Sequence, residues 1–326
     1  MTTSCIPSEF PGLEELARRA RYLPREVEVL PGDVGRRRYL RLVLEDGTSV
    51  IGVAYPAEEA DSRLRWNSAR DVLRERLQVP LLIADDQMGN QIIEDFGRHD
   101  LAARLVVRSD ERTVWLGHAV DSAAVIAGLP DPGINPPFDA AMFRRELDLA
   151  REAVFDLWLG APLSPEHRDI HDRWADSLAR EIEAHPRVLC HRDFHANNLF
   201  PSDGRVALID FQDLRSGPDS YDLASLLWER STLDWMTLPE SRRQASRFAH
   251  ALGIDTSGLE ERLQRVLLQR AWKVCGTFAR AVAQGRGDTY RRYLPGEISL
   301  VGRLLGPSPQ DQAFRAVYEA RLAPLC

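Results

Sequence analysis

The run Leu189-Cys190-His191-Arg192-Asp193-Phe194-His195-Ala196-Asn197-Asn198-Leu199, followed by Val206-Ala207-Leu208-Ile209-Asp210-Phe211, decides the reading of this chain. It spells His-Arg-Asp, four residues, Asn, then a short apolar strand that ends in Asp. A His-x-Asp triplet recurs by chance, and an Asp behind an apolar strand is often only a turn former. The joint spacing is much harder to reach by accident, and it gathers three side-chain oxygen donors around one small space.

This order of residues is how kinase-like phosphotransferases arrange a base and two metal ligands. Transfer of a phosphoryl group to a hydroxyl needs the phosphate oxygens neutralised and held in line, and a group to take up the hydroxyl proton. Asp193, a carboxylate on a loop, suits the proton. Asn198, five residues on, can turn its amide oxygen back to the same point, a hard ligand of the kind Mg²⁺ prefers. Asp210, emerging where the strand stops, can bridge metal to phosphate. His191 is read as a prop for the loop backbone. Arg192 sits near the phosphates or anchors the loop, and His195 faces the acceptor or solvent. Cys190 reads as a small buried residue at a strand end.

The chain resembles the aminoglycoside phosphotransferase-like branch of the kinase fold, and within it the bacterial N-acetylmuramate/N-acetylglucosamine anomeric kinases. Besides the catalytic stretch, the likeness lies in Gly32-Asp33 with Arg37-Arg38-Tyr39-Leu40-Arg41, Ile92-Ile93-Glu94-Asp95-Phe96-Gly97 and Arg145-Glu146-Leu147. It continues in Ile209-Asp210-Phe211-Gln212-Asp213, Tyr221-Asp222-Leu223-Ala224 and Arg270-Ala271-Trp272-Lys273-Val274. The resemblance implies an α+β, protein-kinase-like, two-lobed fold, with a small β-rich lobe over 1–94 and a larger, mainly helical catalytic and acceptor-binding lobe over 95–326. It implies ATP and Mg²⁺ as cofactors, and a nucleotide and a small-molecule acceptor as binding partners. The acceptor group it suggests is the anomeric hydroxyl of an N-acetylated amino sugar, in peptidoglycan recycling.

By the same likeness, 94–97 is a hinge whose backbone at Glu94 and Phe96 holds the adenine. The loop Pro31-Gly32-Asp33-Val34-Gly35, with Arg36, Arg37 and Arg38 after it, would cover the phosphates, Gly35 letting backbone approach an anion and the guanidinium groups neutralising it. Asp222, in the first turn of a helix running to Arg230, would hold the catalytic loop's backbone. Asp213 is a second acceptor contact or an outer metal ligand. The chain departs from many relatives of this fold at one point: the third strand, from Ser49 to Tyr55, carries no lysine, and the sole lysine of the sequence is Lys273. Arg37 or Arg38 is expected to replace the strand lysine. The segment around Lys273 and Arg280 would meet an acceptor carboxylate or form ion pairs with neighbouring acids.

Hydrophobic periodicity supports this layout. Leu13 to Arg21 reads as a helix, Val27 to Leu30, Tyr39 to Leu44 and Ser49 to Val53 as strands, and Asp46-Gly47 as the turn joining the last two. Ser62 to Leu77 is helical, Leu81 to Asp85 and Gln91 to Glu94 are strands, and helices dominate from Asp100 onward. A net charge of −7 argues against a nucleic-acid binder. The first ten residues lack a signal-peptide pattern, no apolar run approaches a membrane span, and no obligate protein partner is inferred. Cys5, Cys190, Cys275 and Cys326 lack metal-ligand spacing and suggest a reduced, cytoplasmic protein. Two alternatives stand beside the sugar kinase: a kinase for an aminoglycoside, choline-like or homoserine-like alcohol, and a catalytically inactive nucleotide-binding regulatory module.

Overall fold

Five short runs of alternating residues, β1 (Glu26–Leu30), β2 (Arg38–Val43), β3 (Ser49–Ala54), β4 (Leu82–Asp85) and β5 (Asn90–Glu94), pair as one antiparallel sheet in the order β1-β2-β3-β5-β4. The period of two gives β2 two different faces. Leu40 and Leu42 are fully buried in a core with Val50 and Ile92 and with Leu13, Leu16 and Ala17 of the amphipathic helix α1 (Pro11–Ala20). Tyr39 and Arg41 face the other way. Gly52 of β3 lets α1 close in, because a Cβ there would lie 2.7 Å from a methyl of Leu13. The computed structural model describes residues 5–30, 37–228, 232, 235–285 and 290–325.

The described part of the chain forms two compact units. The first runs to Val125 and includes Ala196–Leu214. It holds the sheet with α1, then α2 (Ala60–Leu73), α3 (Leu101–Val107), most of α4 (Arg112–Ala127), and the hairpin of β7 (Leu199–Ser202) and β8 (Arg205–Leu208). Gln78, just beyond α2, ties this hairpin to the sheet side: its carbonyl accepts from Leu208 N–H at 2.9 Å and its side-chain amide donates to Ser202 Oγ at 2.7 Å.

The second unit, Ile126–His195 with the chain from Arg215, is mainly helical. It comprises α5 (Ala140–Arg151), α6 (Pro165–Glu183), α7 (Tyr221–Leu227), α8 (Leu238–Leu252), α9 (Thr256–Ala283), α10 (Leu294–Leu304) and α11 (Pro309–Arg321), with β6 (Arg187–Cys190) paired to β9 (Arg215–Pro218). Its centre is aromatic. Trp174 stacks on Phe314 at 4.1 Å between ring centroids, with Trp272 edge-on to both. Trp272 is therefore part of the core, fully buried. α5 and α9 approach very closely at Gly276, where a Cβ would stand 2.4 Å from Ala150 Cα.

The fold is α+β, with the sheet first and the helices after it. The packing division differs from the expected boundary at 94–97. Residues 95–125 stay with the first unit because α3 packs on β7, and Asn197 Nδ2 donates to Asp100, the N-cap of α3, at 2.9 Å. Helix α7 ends at Leu227, short of Arg230, which lies outside the described residues. Among the described residues no helix is long and apolar enough to cross a membrane.

Candidate active site

All the described residues that line one cavity of about 320 Å³ belong to the first unit. Apolar side chains such as Leu30, Ile51, Val53, Ile93, Phe200 and Ile209 share its walls with polar ones, Arg37, Glu94, Asn198, Asp210 and Gln212 among them. That volume and composition suit a small organic ligand.

Asn198 and Asp210 are brought together here. Asn198 closes a single 3₁₀ turn, Ala196–Asn198, and its carbonyl accepts from Ile209 N–H at 3.0 Å, so β7 and β8 carry the two residues side by side. Strand β8 stops at Leu208, and Asp210 turns outward with a left-handed backbone, φ 62°. Two neighbours fix it: Gln212 Nε2 donates to Asp210 Oδ1 at 2.8 Å, and Arg37 Nη2 stands 3.5 Å from the same oxygen. Phe211, fully buried, stacks on Trp66 of α2 at 5.4 Å, which anchors the turn to the sheet side. An amide oxygen and a carboxylate lining one cavity fit a hard divalent cation such as Mg²⁺, whose other positions are commonly filled by phosphate oxygens and water.

Arg37 lines the cavity but Arg38 does not. The alternation that sends Arg37, Tyr39 and Arg41 to the cavity sends Arg38 to the opposite face, where it is exposed. Only Arg37 of the expected pair therefore remains a candidate for phosphate contact. Burial lowers its pKa, but the Tyr39, Asp210, Tyr55 and Glu59 side chains outweigh this and raise it. Gly35 lies outside the described residues. Asp213 is not among the lining residues; Gln212, beside it, is.

Glu94 and Phe96 line the cavity as expected. The Glu94 N–H donates to Leu81 carbonyl at 2.9 Å, leaving its carbonyl and the Phe96 amide as the groups a base could meet. What holds this segment is Asp95, to which sequence reading gave no role. Its carboxylate accepts from Arg41 Nε at 2.6 Å, Ser49 Oγ at 2.6 Å and Gly97 N–H at 2.8 Å. Arg41 Nη2 also donates to Gly97 carbonyl at 2.8 Å. Burial pushes the Asp95 carboxyl upward, and these donors together hold it below the ordinary range. Arg41 and Asp95 are 54 residues apart in sequence, a separation that carries no local signal.

Asp193 belongs to the second unit, two residues before the chain passes from His195 to Ala196 and into the first. The loop is held from α7. Asp222 Oδ2 accepts from His191 N–H at 2.6 Å and Oδ1 from Arg192 N–H at 3.0 Å. This clamp supports Arg192 in a left-handed conformation, φ 84°. His191 is fully buried with its ring edge-on to Phe194, and Cys190 is buried at the end of β6. His195 N–H donates to Asp193 carbonyl at 3.0 Å. Burial pushes the Asp193 carboxyl upward, but Lys273, Arg192, Arg270 and His195 outweigh it, so the carboxyl stays below its ordinary range. A partly buried carboxylate kept ionised can accept a proton from a hydroxyl.

The sequence pattern of the phosphotransferase enzyme family, APH, matches residues 26–264. The N-acetylmuramate/N-acetylglucosamine kinase of Neisseria meningitidis serogroup B is 26% identical over 83% of this chain and 83% of its own length. That of Pseudomonas aeruginosa is 28% identical over 94% of each. Among solved structures, the gentamicin-APH(2")-IIa complex superposes with a TM-score of 0.61 at 14% identity, covering 96% of this chain and 99% of that one. ADP-bound aminoglycoside phosphotransferase APH(2'')-Ib gives 0.59 at 14% identity, covering 93% and 99%. The structures share the protein-kinase-like fold with this chain. The family match spans more than half of the sequence, from the first sheet strand through the Asp193 loop and into α9, and this chain belongs to the APH family of phosphotransferases.

Proposed function

We propose that this phosphotransferase moves the γ-phosphoryl group of ATP to the anomeric hydroxyl of an N-acetylated amino sugar, N-acetylmuramate or N-acetylglucosamine. The observation that carries the chemistry is the convergence of Asn198, Asp210 and Arg37 on one cavity beside the Glu94 to Gly97 segment. The apolar walls receive the adenine, the Glu94 carbonyl and Phe96 amide read its edge, and Arg37 meets the phosphates in place of the strand lysine. Asn198 and Asp210 hold Mg²⁺, which when bound neutralises phosphate charge. Asp193 orients the acceptor hydroxyl and takes its proton as the new P–O bond forms. Support for the sugar comes from curated relatives at 26% and 28% identity whose names carry it.

Release of ADP is measured with ATP and Mg²⁺ against N-acetylmuramate, N-acetylglucosamine, aminoglycosides and amino alcohols, for the natural chain and for Asp193→Asn. Turnover on the amino sugars that falls at least a hundredfold in Asp193→Asn is expected. Turnover confined to an aminoglycoside or amino alcohol would replace the acceptor and leave the chemistry. Arg37→Ala should weaken ATP binding about tenfold or more and Arg38→Ala should leave it unchanged, as titrated by calorimetry. Equal behaviour of the two variants would remove Arg37 from the phosphate role.

A further inference from the structure

Arg41 and Asp95 line the same cavity as the backbone proposed to read the base. The period of two that turns Tyr39 to the cavity turns Arg41 there as well, across from Ile51 of β3. Asp95 directly follows β5. The guanidinium meets its carboxylate as a fork, Nε to Oδ2 at 2.6 Å and Nη2 to Oδ1 at 3.2 Å, with the two side chains 9% and 3% exposed. Ser49 Oγ gives Oδ2 a second donor, and the Gly97 N–H gives one to Oδ1. These donors take up the acceptor capacity of the carboxylate, so Asp95 acts on the chain around it and not on a ligand. Its bond from the Gly97 N–H closes a tight turn over Phe96, with Gly97 at φ 96°. Arg41 Nη2 takes the Gly97 carbonyl at 2.8 Å, so this one pair engages both backbone groups of Gly97. Beyond it, Arg41 Nη1 stands 3.5 Å from Glu28 Oε2, which ties the turn to β1 as well as to β2 and β3.

We propose that Asp95 and Arg41 are positioning residues for nucleotide recognition: by fixing the turn from Glu94 to Gly97 on the sheet they set which purine its backbone accepts, and leave the phosphates to Arg37, Asn198 and Asp210. The inference rests on the reading of this segment as the site of the base. A carbonyl at Glu94 and an N–H at Phe96 offer an acceptor and a donor in fixed order. Adenine presents the matching order, its amino group a donor and N1 an acceptor. Guanine reverses both, with an acceptor at O6 and a donor at N1. Held rigid, the turn rejects the reversed edge because both pairs are left unmade; loosened, it can shift and loses that discrimination.

Dissociation constants of ATP, GTP and inorganic tripolyphosphate, each with Mg²⁺, are measured by calorimetry for the natural chain, Asp95→Asn and Arg41→Lys. Asparagine keeps one oxygen for Gly97 but turns amide hydrogens toward the donors of Arg41 and Ser49, and lysine keeps the charge without the fork. Both variants should lose about tenfold or more in ATP affinity while GTP and tripolyphosphate stay within about threefold, so the preference for ATP over GTP shrinks. Equal losses for ATP and tripolyphosphate would mark a general structural role and overturn the proposal. Unchanged ATP affinity and preference in the folded variants would overturn it too, as would a natural chain that does not prefer ATP to GTP. Should Asp95→Asn fail to fold, Arg41→Gln combined with Asp95→Asn removes both charges together and is read in the same way. A natural chain that binds ATP no more tightly than tripolyphosphate would sink the base-binding reading itself, whereas failure in the variants alone leaves that reading standing.

Discussion

A carboxylate on α7, Asp222, holds the loop before Asp193 by accepting two consecutive backbone amides. Asp222 is buried, and its two oxygens satisfy the His191 and Arg192 N–H groups, the second from a residue whose left-handed backbone costs about 1–3 kcal/mol. Asp222→Ala leaves both amides without their acceptor, so unfolding free energy in urea should fall by about 2–4 kcal/mol, with Asp222→Asn losing less. Turnover should fall about a hundredfold because the loop is displaced from its working geometry, while ATP affinity stays as it was. A matching loss of ATP affinity would contradict the role. At this scale local order singled out Asp193, Asn198 and Asp210, of which the structure brings Asn198 and Asp210 to one cavity, whereas Asp222 was expected from the family resemblance and does accept from the two loop amides. The sequence was silent on Asp95 with Arg41, and for Lys273 it left open an acceptor carboxylate or an ion pair without naming Glu146, whose Oε1 stands 2.9 Å from Lys273 Nζ, because ion pairs made across distant elements leave no spacing to read. Arg38 looked equal to Arg37 until the strand's alternation turned it away.

Elements were legible wherever periodicity was strong. The sheet strands and α2 fall within a few residues of their expected bounds, and Asp46-Gly47 makes the expected turn, with Gly47 at φ 84°. The short pairings β6 with β9 and β7 with β8 were harder, since four-residue strands bounded by turns carry too few alternations to stand out. The close contact of α5 with α9 was invisible as well: Gly276 inside a helix reads as a weak position until Ala150 is found against it. Gly276→Val should therefore wedge these helices apart at a cost of about 1–3 kcal/mol or more, measured by thermal unfolding. The same substitution at Gly296, which has open space around it, is the control expected to cost clearly less.

For the molecule as a whole, buried histidine sets a limit on the acid side. His171 is fully buried among Trp174, Trp272 and Phe314, and its Nε2 has no hydrogen-bond partner among the described residues. Burial lowers its pKa to about 3, against a smaller opposing effect of Asp148, and burial with Arg262 and Arg265 nearby lowers His185 to about 4. In the unfolded chain both imidazoles return to about 6.5. The folded state thus binds fewer protons between pH 6.5 and the depressed values, so stability is fully present above 6.5 and is lost as pH falls through that window. At pH 5 the His171 contribution amounts to about 2 kcal/mol, a large share of the margin of an ordinary domain. Asp95, depressed in the same sense, adds its own loss only at lower pH, below the ordinary carboxylate range. Urea unfolding at pH 7, 6 and 5 should therefore show a steep decline in the natural chain and a shallower one in His171→Phe, whose ring keeps the aromatic packing but takes no proton in either state. Parallel declines in the two chains would place the acid sensitivity elsewhere, whatever the absolute stability of the variant.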